Sequence, residues 1–336
     1  MRNTYCVRLR NTHYEIRSSV YPFHPLTEHL PGILLKAQSG FFTVRTDAGD
    51  FVCQLRGRLK KRRRDTDLAA IGDRVQVSVH PDGTGMIEEI APRERVLSRR
   101  ASTGGGRGGV RDRAGEREQV LVANPEQAVF VFACAEPAPH LRMLDRFIVI
   151  AEAAHLPAVI CANKCDLVTP EAAHELFKLY PPLGYKVWYT SAITGMGVAE
   201  LRDLLRGKLS VLAGPSGVGK STLLNAVQPG LGLRAREVSR ATTKGQHTTV
   251  YPELLPLEGG GFVADTPGVR AVALWDIEPE ELDGYFVEIK PLVAHCEFSD
   301  CTHLHEPGCA VRKAVEAGEV SVSRYESYCR LRLGDD

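Results

Sequence analysis

A chain of 336 residues, 43% hydrophobic and 25% charged, has the make-up of an ordinary globular protein with room for two or three domains. Its 42 lysines and arginines balance 41 acidic residues to a net charge of +1, which excludes a globally basic nucleic-acid binder and leaves a locally basic one open. No apolar run approaches the ~18 residues that span a bilayer. The first twenty residues carry Arg2, Arg8, Arg10, His13, Glu15 and Arg17 without the apolar stretch of a secretory signal. Nine cysteines, an odd number, argue for a reducing, cytoplasmic setting rather than a disulfide framework.

Residues 1–30 mix Arg, His and Pro without periodicity and read as an N-terminal extension. Over 31–97 short alternating runs follow, such as Phe41–Arg45, Phe51–Leu55 and Asp73–Val79, separated by Asp/Gly turns. That pattern predicts a small β-barrel or sandwich. Seven of the nine residues from Arg56 to Arg64 are basic; they read either as a solvated face or as a surface for a nucleic-acid backbone. Residues 98–118, rich in Gly and Arg with almost nothing apolar, read as a mobile linker.

From residue 119 to 274 the texture changes. Apolar runs at Ala128–Ala133, Ala158–Cys161, Lys186–Tyr189, Leu209–Ala213 and Gly261–Ala264 alternate with helical stretches such as Leu141–Ala154 and Ala199–Arg206. Continuous apolar strands alternating with helices predict a buried, mostly parallel α/β sheet. Residues 275–336 form a helix-rich tail in which Cys296, Cys301 and Cys309 crowd together.

Gly214-Pro215-Ser216-Gly217-Val218-Gly219-Lys220-Ser221 fits the G-x-x-x-x-G-K-[ST] phosphate loop at every position and lies between an expected strand and an expected helix. Glycines let the backbone wrap the phosphates at the helix N-terminus, where Thr222 follows. Lys220 would reach the β/γ oxygens, and the Ser221 hydroxyl would ligate Mg²⁺. Asn163-Lys164-Cys165-Asp166 follows an apolar run. A carboxylate there can accept guanine's N1–H and N2–H₂, whereas adenine would leave a buried Asp166 unpaired. Thr190-Ser191-Ala192 resembles the loop that GTPases set against the guanine. Asp265-Thr266-Pro267-Gly268 ends another apolar run, where Asp265 could hold a water on Mg²⁺ and the Gly268 amide could face the γ-phosphate. The bare Asp-x-x-Gly pattern recurs at Asp82–Gly85 and Asp112–Gly115, so only its strand context selects Asp265.

The motifs stand in an unusual order: guanine motif, Ser-Ala loop, phosphate loop, Asp-x-x-Gly. An ordinary GTPase begins with the phosphate loop, so the domain runs as though cut after the Asp-x-x-Gly region and rejoined at its old ends, which are often close in space. Near the C-terminus, Cys296, Cys301 and Cys309 with an imidazole make the donor set of a closed structural Zn²⁺ site. His295, His303 and His305 all compete for the fourth position, and spacing alone leaves the choice open.

The permuted motifs, the small β-domain before them and the Cys/His cluster after them together resemble the small-ribosomal-subunit-dependent GTPases of the RsgA/YjeQ family. The resemblance spans about residues 31–330. It implies a multi-domain fold: an N-terminal all-β OB-fold barrel, a central circularly permuted α/β P-loop GTPase domain and a C-terminal helix-rich zinc-binding domain. It favours His303 as the fourth zinc ligand. It also suggests that His247, in Gly245-Gln246-His247-Thr248-Thr249, orients the attacking water, because Val269 follows Gly268 where many GTPases carry glutamine. One of Thr248 and Thr249, with Thr249 slightly preferred, would meet Mg²⁺. The implied activity is GTP hydrolysis in late maturation of the small (30S) subunit, by a monomer that contacts rRNA and neither DNA nor membrane. Two alternatives stay open: an RNA-binding module with a regulatory nucleotide pocket, and a P-loop NTPase of another pathway, such as an ATP-using kinase.

Overall fold

Strand-forming alternation takes hold at once in the computed structural model, which describes residues 29–62, 68–101, 117–231, 253–265 and 277–335. The first strands are β1 (His29–Gln38), β2 (Phe41–Thr46) and β3 (Gly49–Leu55); a short helix α1 (Gly57–Arg62) leads on to β4 (Arg74–Val79) and β5 (Gly85–Ile90). In β2 every second residue points inward, so Phe42, Val44 and Thr46 are buried while Phe41 stands half exposed. The strand order β1-β2-β3-β5-β4 closes because β4 also pairs with β1, and only β3 and β5 run parallel. Five strands closed in this order make an OB-like barrel. Leu34, Val44, Cys53, Val77 and Ile87 fill it.

An antiparallel ribbon, β6 (Val96–Ala101) with β7 (Arg117–Ala123), connects the barrel to the central α/β domain. Its ladder runs from Val96↔Ala123 out to Ala101↔Arg117. Residues 98–101 and 117–118, read from composition as linker, are therefore strand: the apolar base at Leu97, Val120 and Val122 is buried and starts a ladder that polar residues continue. Residues 102–116 lie outside the described part.

The α/β domain comprises β8 (Gln127–Ala133), α2 (Leu141–Ala153), β9 (Ala158–Asn163), α3 (Pro170–Phe177), β10 (Lys186–Tyr189), α4 (Val198–Leu205), β11 (Leu209–Ala213), α5 (Lys220–Val227), β12 (Glu253–Pro256) and β13 (Phe262–Asp265). The sheet order is β10-β9-β8-β11-β13-β12, parallel except between β12 and β13. All of β8 and β11 is buried, as a strand covered on both faces must be. Phe130, Phe132 and Ile160 pack toward Leu144, Phe147 and Ile148 of α2. Val129, Val131 and Leu212 pack toward α4 and α5 on the opposite face. The chain thus enters the sheet beside its centre, runs to the β10 edge, returns to the middle at β11, reaches the other edge at β12 and turns back to finish at β13, between β12 and β11.

At that second edge β12 pairs antiparallel with β1, with Lys36 opposite Glu253, so barrel and α/β domain share one eleven-stranded sheet. The C-terminal unit holds a 3-10 helix at Pro279–Tyr285, then α6 (Lys290–Val293), α7 (Ala310–Glu316) and α8 (Val322–Leu333). Leu282, Phe286, Ile289, Val311, Tyr328 and Leu331 form its small core, together with Val149 from α2. Among the described residues no helix is long and apolar enough to cross a membrane.

Candidate nucleotide site and metal centre

The parallel strands end on one side of the sheet, where the loops after β9, β10 and β11 carry the guanine motif, the Ser-Ala loop and the phosphate loop, and β13 ends at Asp265. The phosphate loop bridges β11 and α5, with Gly214 at φ 152° and Gly219 at φ 91°. A Cβ on Gly214 would come within 2.1 Å of the Val131 carbonyl oxygen on β8, and one on Gly219 within 2.7 Å of Asn163 Nδ2. Glycine is thus required at these positions by close neighbours as well as by backbone angle. Lys220 opens α5 and donates from Nζ to the carbonyls of Gly214 and Pro215, both at 2.7 Å, so its ammonium arches over the loop. Ser221 and Thr222 occupy the first turn, where backbone amides point toward an incoming phosphate. Pro215, Ser216 and Gly217 complete the loop, and Val218 is buried beneath it.

Asn163 is the last residue of β9 and is buried. Its Nδ2 donates to the Val218 carbonyl at 2.8 Å, and its Oδ1 accepts from Thr190 Oγ1 at 3.1 Å. One side chain therefore joins the guanine motif, the Ser-Ala loop and the phosphate loop. Lys164 follows in a left-handed conformation at φ 60°, and a short 3-10 turn over Cys165–Leu167 carries Asp166 outward. Asp166 is exposed, not buried as the sequence suggested, because this turn lifts it beyond the sheet. Ser191 Oγ donates to its carboxylate and accepts from the Thr194 amide at 3.2 Å, while Ala192 packs against the α4 and α5 side of the core. Asp265, at the tip of β13, pairs in register with Leu212, placing its backbone beside the entry to the phosphate loop. Gly268, His247, Thr248 and Thr249 lie outside the described residues.

The second site sits in the C-terminal unit. Donor atoms of Cys296, Cys301, His303 and Cys309 all lie within 4.8 Å of one another. His303 Nδ1 is 3.5 Å from both Cys296 Sγ and Cys309 Sγ, and those two sulfurs are 4.0 Å apart. Thiolates at 2.3 Å from a tetrahedral zinc stand about 3.8 Å apart, so the donors fit that ion in kind and spacing. His303 is fully buried, whereas His295 and His305 are exposed. Burial pushes the Cys301 thiol up to about 12, a cost that a bound divalent cation reverses by favouring thiolates.

Several groups at these sites carry no sequence motif. Glu306 accepts from the amides of Thr302 at 2.9 Å, Leu304 at 3.1 Å and His305 at 3.2 Å, and also from the Thr302 hydroxyl. Burial pushes its carboxyl up, but these hydrogen bonds prevail and hold it well below the usual range. Tyr325 and Tyr328 of α8 donate to the carbonyls of His303 at 2.6 Å and Thr302 at 2.9 Å. Thr190 was legible only as the residue before Ser191; the others are far from the cysteines in sequence or of unremarkable type. In the basic run, Arg56 pairs with the buried Glu88, and Arg58 donates to the Glu88 carbonyl at 3.1 Å. Both arginines are thereby fastened to the barrel, and side chains 60–67 lie outside the described residues.

The family model described as RsgA GTPase matches residues 90–275, and that of the RsgA N-terminal domain matches residues 31–87. The chain is 48% identical over 311 residues to a protein of Gemmatimonas aurantiaca named small ribosomal subunit biogenesis GTPase RsgA, covering 91% of this chain and 98% of that one. A protein of the same name from Moorella thermoacetica is 44% identical, with 89% and 95% covered. Among solved structures, YjeQ from Thermotoga maritima superposes with a TM-score of 0.73 at 36% identity, covering 91% of this chain and 98% of that one. YloQ, described as a circularly permuted GTPase, superposes with a TM-score of 0.69 at 31% identity, with 93% and 96% covered.

Proposed function

The chain belongs to the RsgA GTPase family, and we propose that it hydrolyses GTP while bound to the rRNA of the small ribosomal subunit, assisting the last steps of that subunit's maturation. The observation that carries the GTPase reading is the Asn163 side chain, which bonds to Val218 across 55 residues of sequence. Through it the guanine-reading turn and the phosphate loop become the two ends of one pocket. In that pocket Asp166 accepts from the guanine edge, Ser191 orients the carboxylate, and the phosphates lie along the loop amides and Lys220. Ser221 and Thr249 are the groups to ligate Mg²⁺, with Asp265 holding one of its waters, and the ion would neutralise charge on the β- and γ-phosphates. His247 is assigned the orientation of the attacking water. In the C-terminal unit Cys296, Cys301, His303 and Cys309 hold a structural Zn²⁺, since a closed shell of four protein donors leaves no position for substrate.

The test is GTP turnover measured with and without purified small subunits. Stimulation by small and not by large subunits is the expected result; equal turnover in both would remove the ribosomal part of the reading. His247→Ala should keep GTP affinity and lose turnover. If kcat stayed within about twofold, a factor too small for an acid–base or positioning role, the water-orienting assignment would fall.

A further inference from the structure

His303 has two ring nitrogens, and the cluster uses only one of them. Nδ1 faces Cys296 and Cys309, while Nε2 lies 3.2 Å from Oδ2 of Asp283, which is 20 residues earlier and belongs to none of the motifs. Asp283 is mostly enclosed, with its side chain 19% exposed, and His303 is wholly buried. An imidazole that gives Nδ1 to a metal must carry its proton on Nε2, and a buried N–H needs an acceptor. The carboxylate is placed to be that acceptor. The His303 backbone is left-handed at φ 61°, a strained conformation for a non-glycine residue, and Tyr325 fixes its carbonyl at 2.6 Å. The ring is therefore held from two sides, by the sulfurs at Nδ1 and by Asp283 at Nε2, while the tyrosine fixes the backbone that carries it.

We propose that Asp283 is a positioning residue of the metal centre. Its carboxylate accepts the hydrogen bond from Nε2–H, which leaves Nδ1 as the metal-facing nitrogen and raises the ligand's basicity. The inference rests on the zinc reading of the cluster. It adds a structural consequence, because Asp283 lies on the 3-10 helix Pro279–Tyr285, the first described segment after β13. Leu282 of that helix and Phe286 just beyond it pack into the same small core as Val149 of α2. Metal, His303 and Asp283 then form one chain of contacts from the cysteine loop to the 3-10 helix Pro279–Tyr285. Zinc affinity and the seating of that helix become reciprocal, so each should respond to the other.

The experiment uses the full-length chain and zinc itself. Zinc content of the wild-type protein is read first, then affinity by chelator competition for the wild type, Asp283→Ala and Asp283→Asn. Loss of such an outer partner weakens metal binding by about 10–100-fold, and that is expected for Asp283→Ala. The Asn variant, whose amide oxygen can accept the same hydrogen bond, should fall between. Nitrogen NMR of the zinc-loaded wild type should show His303 protonated at Nε2 and metal-bound at Nδ1, a readout that needs no variant to fold. A wild-type chain without zinc would overturn the zinc reading and this inference together. Zinc-loaded wild type with unchanged affinity in Asp283→Ala, or with Nε2 on the metal, would overturn the inference alone.

Discussion

The nucleotide pocket and the C-terminal unit with its Cys/His cluster solve the same problem, holding polar groups rigidly, with different materials. The pocket stands on strand ends of a sheet covered on both faces, where β8 and β11 are buried along their whole length. Its loops inherit their positions from that core and need only short polar ties such as Asn163 to Val218. The C-terminal unit has only a small apolar core and leans on charge as well. Arg324, 1% exposed, bonds Asp145 of α2 at 2.7 Å and Glu288 at 2.6 Å, with its guanidinium 4.7 Å from the centre of the Phe286 ring. Burial lowers the arginine's hold on its proton, but the two carboxylates more than offset it and leave the group above its usual value. Tyr180 and Ser327 complete the shell round Asp145. A large apolar core tolerates loss of one polar tie, whereas a small unit docked through a buried charge network does not.

The comparison can be broken at four points. Asp166→Ala removes an acceptor of two hydrogen bonds to a charged group, each worth about 1.5–3 kcal/mol; preference for GDP over ADP should fall by about 10³-fold, with global stability little changed. Arg324→Ala strands two buried carboxylates and should cost about 3–5 kcal/mol, read by denaturant unfolding. If it costs under about 1 kcal/mol, as an exposed pair would, the charge-clamped description of the C-terminal unit fails. Asn163→Ala leaves the Val218 carbonyl and Thr190 hydroxyl short of a partner, about 1–3 kcal/mol. Its expected signature is a 10–100-fold loss of GDP affinity by calorimetry; full affinity would mean that the two ends of the pocket are positioned independently. Smallest should be Lys36→Ala, since the ion pair with Glu253 at the β1–β12 junction is 3.4 Å long and 37%/47% exposed. A change under about 0.5 kcal/mol is expected, and a large drop in Tm would show that the barrel is held to the sheet through this pair.

Chemistry that depends on neighbours in the chain was legible from residues alone. A phosphate loop works through consecutive backbone amides, so Gly214 to Ser221 announces itself. The buried strands β8 and β11 did so by predominantly apolar runs bounded by turns. The permuted order was readable because motifs keep their own spacing wherever the chain is cut. The Gly/Arg segment misled at its ends, since composition does not register that 98–101 and 117–118 extend a ladder begun by Leu97 and Val122. The exposure of Asp166 was equally hidden, because it arises from the short turn after β9.

What the sequence by itself determined was the α/β class of the central domain, the phosphate and guanine motifs and the presence of a three-cysteine cluster. The tertiary structure alone brought together Asp283 and His303, 20 residues apart, Asn163 and Val218, 55 apart, and Arg324 and Asp145, 179 apart. It also set β1 against β12, making one sheet of two domains, and selected His303 over its exposed neighbours. The division is one of range. Local motifs encode backbone conformation within a few residues, whereas a buried polar group finds its partner only after apolar packing has fixed which distant segments meet.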